Sequence, residues 1–244
     1  MMIIHELRIL FKSLALWAVL VIVLSFFFFL PLVGGDSPVI IVFQSLKDHL
    51  VPAGVELIVT DPLSGFLAQA IVALSLAFLA SFPILLYEIV HYLSPALEHQ
   101  EKRALGLIIL PSLLLFFGGC WFAYSFIVPA TFKMLFPFAL SIEAVPFFLV
   151  DQFIQLVFGI TIATGVLFLL PVFMVLLSSV GVVPREFWLK NWRYASVIFL
   201  AFSAIITPDG TGITMLLLTA PLSGLYLVGS FLSPRTRGHY QYNN

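Results

Sequence analysis

Long apolar runs alternate with short polar connections along most of this chain. Four runs reach the roughly 20 residues that a helix needs to cross a bilayer: about 13–33, 66–90, 105–129 and 153–178. Two more, about 194–206 and 213–232, flank the segment ITPDGTG. The runs are continuous rather than alternating, which favours helices over a barrel, since a helix satisfies every backbone group within itself. The pattern predicts an all-α integral membrane protein of six transmembrane helices, forming a single domain over 1–232. A loose tail, 233–244 (SPRTRGHYQYNN), follows and shows no apolar period.

Proline and run length refine the picture. Pro83, Pro111, Pro171 and Pro221 fall inside four of the runs and predict kinked helices. From Tyr194 to Ile206 the fifth run reaches only about 20 Å at 1.5 Å per residue, against a hydrocarbon layer of about 30 Å. Either that helix is short and sheltered by its neighbours, or the Pro208-Asp209-Gly210 turn blurs its end. The connection over about 34–65 is long. Within it FQSLKDHL (43–50) has helical apolar spacing, which predicts a short helix on the membrane surface. The first run is too long for a signal-peptide core and has no small-x-small cleavage site after it, so it reads as a retained span.

Composition agrees. Of 244 residues 61% are hydrophobic, 26 are phenylalanine, and the mean hydropathy is +1.14. Charged residues make up 9%, where a soluble domain carries about a quarter. Their placement sets the orientation. Arg8, Lys12, Lys102, Arg103, Arg185, Lys190, Arg193, Arg235 and Arg237 share one side of the six-span layout. Only Lys47 and Lys133 fall on the other, with Asp36, Asp48, Glu56, Asp61, Glu143, Asp151 and Asp209. The inside-positive bias therefore predicts both termini in the cytoplasm. The lone Cys120 forms no internal disulfide and packs as a small hydrophobe.

Several chemistries are excluded. The chain has no GxxxxGK[ST] phosphate loop. Its five histidines lie in loops or tails, and Ser223-Gly224 has no base beside it, so an intramembrane hydrolase is disfavoured. The spans lack the midplane ionisable groups of ion-coupled carriers; Glu88, near the end of the second span, comes nearest. A small-solute secondary transporter is the alternative reading, although it needs a midplane polar site that the sequence does not show. No metal, cofactor or nucleic-acid partner is implied.

The polar chemistry gathers on the cytoplasmic rim, and there the residues resemble a known family. Glu6-Leu7-Arg8 is similar to the ELR core of the TatC family, the multi-spanning core of the twin-arginine protein translocase. FPILLYE (82–88) and SPALEHQEKR (94–103) resemble that family's stretch around P-G-L-Y-x-x-E-R/K-R/K. FFGGCWFAYSFIVP (116–129), GVLFLLP (165–171) and the run from Arg193-Tyr194 to Ile206-Thr207-Pro208-Asp209 follow in the family's order. Departures are visible. Ile3 stands where the family has histidine, Ala96 replaces a glycine, and Glu98 replaces a tyrosine. Leu169 replaces the fourth-span glutamate, and the TPPD turn is shortened to TPDG.

The resemblance implies a curved bundle with short fifth and sixth helices in the cell membrane. It implies a receptor and scaffold rather than an enzyme, binding twin-arginine signal peptides of folded cargo under the proton gradient. Implied partners are single-span TatA/TatB-type subunits, further copies of the chain, and membrane lipid. Carried over by position, Glu101 is the main partner of the two arginines and Glu6 the second, because carboxylates grip guanidinium forks through paired charge-assisted hydrogen bonds. Pro95 and Leu97 keep the family pattern, with Pro95 directing the loop. Lys102 and Arg103 either shape the site or act as topology charges. Arg8 either pairs with Glu6 or obeys the inside-positive bias, and Glu98 reads as solvent-exposed. Thr207, Asp209 and Thr214 are candidate partner contacts, with hydroxyls bonding back to their own helix as the alternative.

Overall fold

The structure, a computed structural model, describes residues 2–31, 36–51, 55–93, 101–141, 147–207 and 212–234. Of these, 2–10, 56, 91–93, 101–107, 136–141 and 147 are described by their backbone alone. In chain order the elements are α1 (Met2–Phe29), α2 (Pro38–Leu50), β1 (Glu56–Ile58), α3 (Pro62–Leu93) and α4 (Glu101–Phe122). A π-helical turn, Ala123–Ile127, leads into α5 (Val128–Ser141). Then come β2 (Phe147–Leu149), α6 (Val150–Phe168), α7 (Leu170–Ser179), α8 (Arg185–Lys190), α9 (Trp192–Ile206) and α10 (Ile213–Leu232).

Local chemistry explains where these elements start and break. Asp61 accepts the Ser64 amide at 2.8 Å and Pro62 opens α3, an acceptor cap followed by a residue that needs no amide partner. Pro129 lacks an amide hydrogen and its ring crowds the carbonyl four residues back. The π turn just before it absorbs that misfit without ending the helix. Pro171 acts more sharply and separates α6 from α7 at Leu169. At the end of α7, Gly181 adopts φ 77°, and the amides of Gly181 and Val182 close onto Ser178 O and Leu177 O. A left-handed residue just past the helix makes that closure possible.

Among the described residues, five stretches are long and apolar enough to span a membrane: Phe11–Phe29, Pro62–Val90, Ile108–Leu135, Val150–Ser179 and Ile213–Leu232. The sixth apolar helix, α9, has 15 residues and reaches about 22 Å. Its end is sharp: Thr207 is extended, and its amide closes onto Ser203 O. Among the described residues the helix therefore ends at Ile206. Three details differ from the sequence pattern. α2 begins at Pro38, ahead of the expected 43–50. Helix continues from α4 to Ser141, well past 129. The fourth apolar run is two helices rather than one.

Where the sequence suggests one six-helix domain, the packing groups the chain into two compact units. The first comprises 1–93 and 128–160, and the second 94–127 and 161–244. The chain crosses between them at 93/94, at the π-turn junction and within α6, and this shared helix is why hydropathy alone shows no boundary.

In the first unit α1 packs along α3. Trp17 donates from Nε1 to Ser81 O at 3.4 Å and meets Phe78 edge-on, while Phe29 contacts Phe66. Residue numbers rise on α1 as they fall on α3, so the two helices run antiparallel. Most of the large side chains of α1, including Leu16, Ile22 and Phe26, are exposed, as suits a helix whose solvent is lipid. β1 and β2 pair in parallel, Leu57 opposite Phe148, beside a cluster of Phe132, Phe148 and Phe153.

In the second unit α9 and α10 form a hairpin, and α10 also packs on α7. Hydroxyls line its seam. Thr219 Oγ1 lies 3.1 Å from Ser203 Oγ and 2.7 Å from Met215 O, and Ser223 Oγ donates to Ser196 Oγ at 3.4 Å. Trp188 ties the connecting helix down. Its Nε1 donates to Ser178 Oγ at 3.0 Å, and its carbonyl accepts Tyr226 OH at 2.9 Å.

Candidate functional site

Glu6 and Arg8 lie in α1, before its apolar portion begins. The antiparallel pairing of Trp17 with Phe78 and Ser81, and of Phe29 with Phe66, continues to the other end of the helix pair. It sets the backbone of residues 6–10 level with the last turns of α3. As helical positions two apart, Glu6 and Arg8 fall on different faces, so the helix does not present them as a pair. Glu88 stands at that same end of α3. It is half-buried, and its Oε2 is shielded with no hydrogen-bond partner among the described residues. In the sequence it reads only as a charge at a span's edge; sequence carries no signal for the shielding of one oxygen.

Glu101, Lys102 and Arg103 lie in α4, where the described residues resume, and before its apolar portion begins. Glu6 and Arg8 belong to the first unit; Glu101, Lys102 and Arg103 belong to the second. Pro95, Leu97 and Asp209 lie outside the described residues.

The candidate partner contacts are both inward. Thr207 is buried, and its Oγ1 donates to Ser203 O at 2.7 Å, a bond back to its own helix. Thr214, in the first turn of α10, is fully buried. Leu169 is also buried, at the break between α6 and α7. An aliphatic side chain fills the place at which a carboxylate is expected.

Two of the sequence pieces singled out above, 116–129 and 165–171, meet in space. A Cβ on Gly165 would stand 2.5 Å from Cys120 Sγ and 3.1 Å from Phe116 O; one on Gly119 would stand 2.7 Å from Phe168. Only hydrogen at both positions lets the two backbones come this close.

A family model described as Sec-independent protein translocase protein (TatC) matches residues 2–221. The chain belongs to the TatC family. It is 37% identical to the Sec-independent protein translocase protein TatC of Cenarchaeum symbiosum, over 78% of this chain and 74% of that one. To the protein of the same name from Synechocystis it is 33% identical, over 81% of this chain and 78% of the other. A crystal structure of the twin arginine translocase receptor TatC superposes with a TM-score of 0.77 at 30% identity. That match covers 94% of this chain and 96% of the other. The chain is thus an all-α, multi-pass membrane protein of the TatC translocase family, with α9 as the short member of its six apolar helices. The paired glycines of α4 and α6 are the physical content of two of its TatC-like motifs.

Proposed function

We propose that this chain is the receptor and scaffold subunit of a twin-arginine translocase, and that Glu101 and Glu6 grip the two arginines of the signal peptide. The observation that carries the reading is the family match across 2–221, with Glu101 and Glu6 each standing at the polar end of an apolar helix. Two adjacent guanidinium forks need two carboxylates that remain ionised near the membrane surface. Glu101 in α4 and Glu6 in α1, each before the apolar portion of its helix, supply such positions. Lys102, Arg103 and Arg8 balance that charge, while Pro95 and Leu97 shape the loop leading into α4. The inside-positive distribution supports both termini, and hence this site, facing the cytoplasm of a cell membrane.

The chain acts by binding and assembly rather than by bond-making chemistry. It receives folded cargo by its signal peptide and gathers single-span TatA/TatB-type subunits and further copies of itself, with the proton gradient as the energy source. Thr207, Asp209 and Thr214, at the turn between α9 and α10, are proposed to set the shape of a docking surface for those subunits. The test is crosslinking of a photoreactive twin-arginine peptide to membranes carrying the intact protein or Glu101→Gln. Strong loss with the variant is expected, and so is weak labelling of the wild type by a twin-lysine peptide. Equal labelling of wild type and variant would overturn the assignment.

A further inference from the structure

A cavity of about 460 Å³ opens in the first unit, at the end of α3 that begins with Pro62. Phe43, Gln44 and Lys47 of α2 line one side, at the three- and four-residue spacing of a single helix face. Leu57 and Val59, two apart along β1 and its continuation, line another, and Gln69 of α3 closes the third. Among the described residues that line it, Lys47 alone is charged. Its neighbours Asp48 and His49 do not line the cavity, and Asp61 is occupied as the cap of α3.

Depth narrows the occupant. Gln69 lies seven residues into α3, about 10 Å along the helix from Pro62. A bilayer's polar layer is about 5–7 Å thick on each side of its hydrocarbon, so the cavity sits where headgroups meet chains. Val59, itself a lining residue, is exposed, as is Ile58 beside it, an apolar lip to the cavity. One cation, two amides and an apolar exit are complementary to an amphiphile with one negative charge and hydroxyl groups.

We infer that this cavity binds the headgroup of an anionic glycerophospholipid, phosphatidylglycerol. Its phosphodiester meets the Lys47 ammonium, its glycerol hydroxyls bond the amides of Gln44 and Gln69, and its acyl chains leave past Val59. A lysine at the headgroup layer attracts an anionic headgroup by about 1 kcal/mol. The site does not depend on the twin-arginine reading, since α2 and β1 carry none of the residues proposed to grip the signal peptide.

Native mass spectrometry of the purified full chain tests it. The protein is stripped of lipid in mild detergent, then titrated with phosphatidylglycerol or with phosphatidylcholine of the same acyl chains. The wild type is expected to retain phosphatidylglycerol about five- to tenfold more strongly, the contribution of one interfacial lysine. Lys47→Gln, an exposed substitution, should abolish that preference. Gln69→Leu should weaken it, and Lys133→Gln, away from the cavity, should leave it intact. Equal retention of the two lipids by the wild type would mean that acyl chains alone fill the groove. An unchanged preference in Lys47→Gln, a loss in Lys133→Gln, or displacement by inorganic phosphate alone would equally overturn the proposal.

Discussion

Replacing Gly229 with alanine tests whether α7 and α10 touch as closely as the structure shows. A Cβ at position 229 would stand 2.8 Å from Pro171 Cα, 3.1 Å from Pro171 Cβ and 3.0 Å from Met174 Sδ. Ordinary carbon contacts lie at about 3.5–4.0 Å, so the two helices must separate by several tenths of an ångström. The nearest obstacle is backbone, which no rotamer change can move aside. Because the obstacle is backbone, the cost falls in the upper part of the usual overpacking range, about 2–3 kcal/mol. Alanine recovers about 1 kcal/mol of helix propensity, which leaves a net loss of about 1–2 kcal/mol. Gly224, on the same helix, is the matched control. A Cβ there meets nothing within 4 Å, so Gly224→Ala gains the propensity without the clash. The assay is the apparent thermal midpoint of the purified protein in detergent, followed by loss of the monodisperse gel-filtration peak. At about 2–4 °C per kcal/mol for a chain of this size, Gly229→Ala should fall by roughly 2–8 °C while Gly224→Ala rises by a few degrees. A Gly229→Ala protein as stable as wild type, beside a stabilised Gly224→Ala, would refute the close approach.

The hydroxyl seam of α9 and α10 should couple weakly: a double-mutant cycle of Ser203→Ala and Thr219→Ala is expected to give about 0.6 kcal/mol, and zero coupling in the same midpoint assay would dismiss the pair. Leu169→Glu places an ionisable group in a buried position and should cost about 3 kcal/mol, against less than about 1.5 for Leu169→Met; a stable glutamate variant would show that Leu169 is open to water or to a partner. Glu6→Gln should weaken twin-arginine peptide binding by about tenfold or more, the value of one charge-assisted bond, and an unchanged affinity by peptide titration would remove Glu6 from the proposed site.

The spans were legible because a lipid-facing helix has to be apolar over its whole length, and few other structures leave that mark. The shortness of α9 was legible for the same reason, since Thr207-Pro208-Asp209 interrupts the run. What hydropathy could not resolve is backbone geometry inside a run. Pro83 and Pro171 are both prolines within apolar stretches, yet α3 continues through Pro83 while the helix breaks before Pro171. The difference lies in the surroundings. Leu169 and Pro171 are both buried, and Pro171 is the residue that Gly229 abuts, so a bend there is held by the helix packed upon it. The division into two units was hidden because α6 serves both, and a shared helix has no change of composition to mark the crossing.

The proposed site is read from the sequence as positions rather than as contacts. Glu6 and Glu101 stand out by sequence order within a pattern, and each lies before the apolar portion of a helix fixed elsewhere by close packing. α1 is held against α3 by the Trp17 contacts, about 16 Å along the helix from Glu6. α4 is held at Gly119, about 27 Å from Glu101, where only a glycine opposite Phe168 and Gly165 permits the approach. The residues that fix these helices are therefore remote from the carboxylates that would meet a signal peptide. A larger side chain at Gly165 acts on α4 through the backbone rather than through any charge. Pro111, lying between Gly119 and Glu101, lacks an amide hydrogen and leaves that helix one internal bond short, so it is the point at which such a displacement bends. The glycine seam and the charged rim are read as separate motifs along the chain, and α4 makes them two ends of one element.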